Sequence, residues 1–226
     1  MSLLAGSSTT LLIPSAGTVA SRRAVDQLYS ETLLQWRVHP KFRTTLARHF
    51  VDDVHGYFRS EFGTIATAAN GMLKIREEME KNTNPVLNLL REVSVANKSP
   101  TKNVSNSSSF LDLQLRFGRA VENLSHHHQA EDEHFFPQFA AKYKHDDSIV
   151  AQFGVLEKDH QLLHPIEEIA LQNGKLSKKN SKKISPEEQE VQYNALLAMV
   201  EFFGFLGDHL KREDMLIVPM LFNGVL

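Results

Sequence analysis

Cysteine is missing altogether from the 226 residues, which excludes disulfides, thiolate metal sites, iron–sulfur clusters and cysteine nucleophiles in one step. Any metal must therefore bind through nitrogen and oxygen. An excess of one charge is missing too: 25 Lys and Arg stand against 27 Asp and Glu, a formal charge of -2, so nothing basic suggests a phosphate-backbone partner. Nucleic acid is not an expected ligand. No apolar run reaches the roughly 18 to 20 residues of a membrane span, and the early Leu11–Ile13 stretch ends at Pro14. The expectation is a soluble, cytoplasmic protein with no membrane partner. The first 25 residues are rich in Ser, Thr, Ala and Gly and carry only Arg22 and Arg23 as bases, which fits a plain tail better than a transit peptide. A secretory signal is disfavoured because no Lys or Arg precedes the apolar stretch. Nucleophile motifs, phosphate loops and alternating strand patterns are also absent.

What is plentiful is histidine, with eleven. Neutral imidazole is the usual nitrogen ligand of iron, zinc or copper, so the placement of these residues decides their meaning. The length suits one domain with a sizeable core. Two low-complexity stretches, Asn97–Ser109 and Gly174–Ser185, read as solvated loops. Around them lie four long segments with helical apolar spacing.

Helix A is expected over about Asp52 to Lys81, and helix B from near Ser109 to just before Pro137, since proline removes a backbone donor. Helix C follows Asp147 as an N-cap and ends near Gly174. Helix D opens at the capping box of Ser185, Pro186, Glu187 and Glu188. The fold class is all-α, an antiparallel up-down-up-down four-helix bundle over residues 49–226. Residues 1–48 form an extension, partly disordered, whose amphipathic stretch Ala24–Arg37 adds an extra N-terminal helical segment.

The inward stripes end in polar groups. In helix B the stripe is Leu113, Phe117, Ala120, Leu124, His127, Glu131; in helix D it is Ala195, Met199, Phe202, Leu206, His209, Glu213, with the same steps. Helix C contributes Ile149, Phe153, Leu156 and His160, with His164 a turn further, and His55 opens helix A. Burying such groups without partners costs several kcal/mol each, so a shared metal is the economical explanation. The frame His127, Glu131, Asp132, Pro137 also reappears as His209, Glu213, Asp214, Pro219 with identical spacing. A His and a Glu four apart share a helix face and can reach one ion or adjacent ions.

Five histidines and two carboxylates exceed the needs of one tetrahedral zinc. If both carboxylates and one oxygen atom bridge two ions, three histidines complete one six-coordinate ion and two leave the other five-coordinate. Imidazole with carboxylate and an open position suits iron better than calcium or magnesium.

His55, the His127–Glu131 pair within HHHQAEDEHFFP, His160 in EKDH and the His209–Glu213 pair within HLKREDMLIVP together resemble the haemerythrin-like, or HHE cation-binding, domain over roughly residues 50 to 222. The resemblance implies two iron ions with an oxo or hydroxo bridge. It implies His160, His164 and His209 on one iron, His55 and His127 on the other, and Glu131 and Glu213 bridging. The sequence departs from the pattern in places. Pro165 follows His164 and should kink helix C there, which leaves His164 between ligand and surface group. In haemerythrin itself the last carboxylate stands five residues after its histidine, which here is Asp214 instead of Glu213.

The remaining histidines read as bystanders: His126 and His128 point away from the stripe, His134 is rim or ligand support, and His39, His49 and His145 lie at the surface. A ferritin-like reading through Glu131–His134 and Glu157–His160 would want lone inward glutamates on the other two helices, which offer histidines. Three function classes stay open: a protein that binds or senses a small diatomic ligand or peroxide, a di-iron enzyme of oxidative or nitrosative stress or of iron donation, and a metal-braced interaction module. Small-ligand binding or oxidant handling is favoured.

Overall fold

A computed structural model describes residues 19–44, 46–81, 106–171 and 185–223, and these are helical nearly throughout, with no strand among them. The chain is all-α. Its helices are α1 (Val19–Val38), α2 (Pro40–Thr44), α3 (Leu46–Arg48), α4 (His55–Lys81), α5 (Asn106–Ala130), α6 (Phe136–Lys142), α7 (Asp147–Leu171) and α8 (Pro186–Phe222). Two π-helical turns, His49–Val54 and Glu131–Phe135, join α3 to α4 and α5 to α6.

Several boundaries differ from the sequence expectation, each for a local reason. The α-helix of segment B ends at Ala130, before Pro137 as expected, but the chain stays helical: the π turn intervenes and Pro137 falls in the first turn of α6, where its missing N–H costs nothing. The cap of α7 is Asp146, not Asp147, because its Oδ1 accepts the N–H groups of Ser148 and Ile149. The stretch Asn97–Ser109 is helical from Asn106 onward, and its earlier part lies outside the described residues, as does Gly174–Ile184. At Ser185 the capping box forms as expected. Glu188 N–H donates to Ser185 Oγ, and Ser185 N–H donates to Glu188 Oε2. The helix anticipated over Ala24–Arg37 is α1.

The chain forms two compact units. One comprises Phe58–His126 and Leu162–Gly204. Phe62, Phe117 and Phe202 fill its centre with ring centroids 5.0 to 5.8 Å apart, a tilted and edge-on arrangement that aromatic quadrupoles favour. Glu61 and Arg116 form a two-bond ion pair at its surface.

The other unit comprises the chain up to Tyr57, His127–Gln161 and the chain from Phe205 on. Its apolar cluster gathers Tyr29, Trp36, Phe42, Val51, Phe136, Phe139, Phe153, Leu156 and the Met215–Leu221 stretch. Every residue from Arg212 to Val218 is buried, so this end of α8 is covered all round: Met215 to Val218 are apolar on successive faces, and the charged Arg212, Glu213 and Asp214 turn inward as well. Covering one of those faces is α1, which ties Asp26 to Lys211 and Arg37 to Asp52. No described helix is long and apolar enough to cross a membrane.

Candidate metal centre

The second unit holds every polar group that the helical stripes deliver except His164, which falls in Leu162–Gly204 of the first. His55, Glu131, His209 and Glu213 have no exposure, and His160 has almost none. Both π turns serve this site. A π turn closes an i to i−5 bond, and here His55 N–H donates to the Phe50 carbonyl while Phe136 N–H donates to the Glu131 carbonyl. The inserted residue shifts the inward face. After Glu131 the next buried positions are Phe136 and Phe139, while His134 and Phe135 are exposed. With His134 and Glu157 both exposed, the ferritin-like reading has no inward motif to stand on.

Two groups of potential ligand atoms converge: His55, His127, Glu131 and Glu213 in one, and His128, His160 and His209 in the other. In the first, His55 Nε2 and His127 Nε2 are 3.1 Å apart; in the second, His160 Nε2 and His209 Nε2 are 3.1 Å apart. The carboxylates lie between them. Glu131 Oε1 is 3.1 Å from His127 Nε2, and Glu131 Oε2 is 3.8 Å from His160 Nε2. Glu213 Oε2 stands 3.5 Å from His55 Nε2 and 3.4 Å from His209 Nε2.

The opposite ring nitrogens are anchored. His55 Nδ1 bonds Asp214 Oδ1 at 2.7 Å, His160 Nδ1 bonds Asp132 Oδ1 at 2.9 Å, and His209 Nδ1 lies 3.3 Å from Asp159 Oδ2. A carboxylate on Nδ1 fixes the tautomer that presents an Nε2 lone pair, the usual support of a metal-bound histidine. Arg212 backs this arrangement, its Nη2 being 2.8 Å from Asp159.

Electrostatics agree with the geometry. Burial, followed by the Glu213 carboxylate alongside, pushes the Glu131 carboxyl well above its ordinary range. Burial also opposes ionisation of Glu213, but His55 and His209 outweigh it and hold that carboxyl low. Burial and the neighbouring histidines press His127 down to about 3 and lower His128 and His160 as well. Those three imidazoles are thereby biased toward the neutral form, the one that ligates metal. All four carboxylate oxygens of Glu131 and Glu213 and both nitrogens of His128 are buried without a hydrogen-bond partner among the described residues. Orphaned acceptors cost about 1 to 3 kcal/mol each, and a cation shared by them removes that cost. The donor set fits iron: nitrogen and carboxylate oxygen, with no sulfur.

Six of the seven sequence-assigned residues, all but His164, fall in the two groups. His164 is exposed and its Nδ1 pairs with Glu167 at 3.2 Å. His128, expected at the surface, is buried instead and stacks on His160 with centroids 3.9 Å apart. The signal for it was present, because His128 is four residues after Leu124 and seven after Val121, both buried. Asp214 is also no outward residue: it is fully buried, bonded to His55 and to the Tyr29 hydroxyl. Sequence reasoning missed the supporting roles of Asp132, Asp159, Asp214 and Tyr29. The repeated frame held a clue to two of the aspartates, since Asp132 and Asp214 each follow the ligand-type Glu and each bond a histidine of another helix.

No curated protein and no solved structure matches the chain. The Hemerythrin HHE cation binding domain matches residues 46–221, from just before the first π turn to the end of the buried stretch of α8. The match covers all the residues of both converging groups, and the chain belongs to the hemerythrin HHE cation-binding family.

Proposed function

We propose that the chain holds two iron ions and takes a small ligand, oxygen, nitric oxide or peroxide, at one position that the protein leaves open. The observation that carries this reading is the orientation of Glu131, which turns one oxygen toward His127 and the other toward His160. A carboxylate that faces two separate groups of imidazole nitrogens is placed to bridge two ions. On this reading His128, His160 and His209 would hold one ion and His55 and His127 the other, with Glu131 and Glu213 shared between them. The side with two histidines, His55 and His127, would be the one with room for a small ligand. α4, α5, α7 and α8 would be the four helices of an antiparallel up-down-up-down bundle.

The iron pair, when bound, supplies reversible electron donation to the small ligand. The residues supply the rest. The aspartates orient the imidazoles and hold the protons of their Nδ1 atoms. Burial of the carboxylates keeps bulk water from competing for the ions. His127 is the most exposed of these side chains, at 14% against 0% for His55, Glu131, His209 and Glu213. A small ligand would approach the centre from its side. The test is iron analysis of protein grown in iron-replete medium, with an optical spectrum under air. About two irons per chain and the bands of a bridged ferric pair are expected, and a single tetrahedral zinc would overturn the reading.

A further inference from the structure

The support of His55 does not end at Asp214. Asp214 Oδ1 accepts from His55, and its other oxygen, Oδ2, accepts from the Tyr29 hydroxyl at 2.5 Å. Tyr29 is 7% exposed and Asp214 fully buried, so water does not substitute readily for either bond. Tyr29 belongs to α1, which lies before the family match at residue 46. This helix is tied to α8 by the Asp26–Lys211 ion pair, and Tyr29 itself lies in the apolar cluster. We propose that Tyr29 is a positioning residue of the metal centre. Its hydroxyl fixes the rotamer of Asp214, and Asp214 in turn fixes the ring of His55.

The physical reason lies in the geometry of a buried carboxylate. Asp214 is held from both ends; without the phenol, Oδ2 would lose a buried donor and could relieve that loss by rotating. Rotation would move Oδ1 off His55 Nδ1 and free the imidazole to swing. The counterpart support on the other side, Asp132 on His160, is 41% exposed, so water can restore that bond. The His55 side therefore depends on α1 in a way the His160 side does not.

The inference rests on His55 being an iron ligand, as proposed above. The test uses the iron-loaded full chain, challenged with excess chelator while iron release is followed optically. Parent, Tyr29→Phe, Trp36→Phe, Asp214→Asn and the Tyr29→Phe/Asp214→Asn double variant are compared, each shown to be folded by circular dichroism. Outer supports of metal ligands are worth about tenfold to a hundredfold in affinity, and Tyr29 is one bond further out, so roughly threefold to tenfold faster release is expected for Tyr29→Phe. Trp36→Phe should release iron like the parent, and Tyr29→Phe should add nothing in the Asp214→Asn background. Release from Tyr29→Phe at the parent rate, equal acceleration by Trp36→Phe, or simple additivity in the double variant would each overturn the proposal. A parent that holds no iron would overturn the functional reading along with it, whereas an iron-replete parent with an indifferent Tyr29→Phe would remove this inference alone.

Discussion

His160 and His209 bring their Nε2 atoms to 3.1 Å of each other, although the Nδ1 atom of each is turned to an aspartate. If each Nδ1 keeps its proton for that aspartate, both Nε2 atoms present lone pairs, and two lone pairs so close repel unless a cation joins them. His55 and His127 repeat the approach at the same distance.

Metal removal should therefore destabilise the chain. A ligand at about a thousand times its Kd adds about 4 kcal/mol to the folded state. For a chain of this size each kcal/mol moves Tm by about 2 to 4 °C, so exhaustive chelation should lower Tm by about 8 to 16 °C. Calorimetry before and after chelation checks this, and an unchanged Tm would mean that the histidines are not bracing a cation.

His128 and His164 make opposite predictions. His128 is buried against His160, while His164 is exposed and bonded to Glu167. His128→Ala should lower the iron-to-chain ratio from about two toward one, and His164→Ala should leave it unchanged. Elemental analysis of both purified variants decides the matter, and iron loss from the His164 variant alone would restore the assignment drawn from the family pattern.

Stability can be separated from metal binding at the start of α8. Ser185→Ala removes the hydroxyl that accepts the Glu188 N–H, and loss of such a cap costs about 1 kcal/mol. Urea unfolding should show that loss while the iron content stays at the parent value. A cap variant that also loses iron would indicate that the centre responds to any weakening of α8.

The sequence carried the helices and most of the site because helical periodicity is a strong signal where stripes are long. The stripe through Phe117, Leu124, His127 and Glu131 needed only 3.6 residues per turn to be read. What escaped it was set by local departures and by distant pairing. The π turn after Ala130 has no residue signature, yet it carries the helix past Pro137 and turns His134 outward. His128 escaped because a wide inward face admits two adjacent histidines, and the narrow stripe had room for one. Tyr29 escaped because its partner, Asp214, lies 185 residues away in the chain.

Glu213 and Asp214 are both buried, so burial alone does not choose the bridging carboxylate. Their contacts do. Glu213 Oε2 lies 3.5 Å from His55 Nε2 and 3.4 Å from His209 Nε2, on the lone-pair side of both rings. Asp214 instead meets His55 at Nδ1, the far side of that ring, at 2.7 Å. A step of four residues from His209 advances about 40° beyond a full turn and a step of five about 140°, which sends the two carboxylates to different faces of α8. Among the described residues, the carboxylate of Glu213 has no hydrogen-bond partner, whereas Asp214 is bonded to His55 and Tyr29. Glu213→Gln should therefore abolish the bridged-pair absorption and cost at least one iron per chain. Asp214→Asn should keep a bridged pair that forms but releases iron about tenfold to a hundredfold faster, as expected for loss of an outer support. Elemental analysis, the visible spectrum and chelator release together distinguish the two. If Asp214→Asn loses the bridged bands while Glu213→Gln keeps them, the carboxylate five residues after the histidine is the bridge, as it is in haemerythrin.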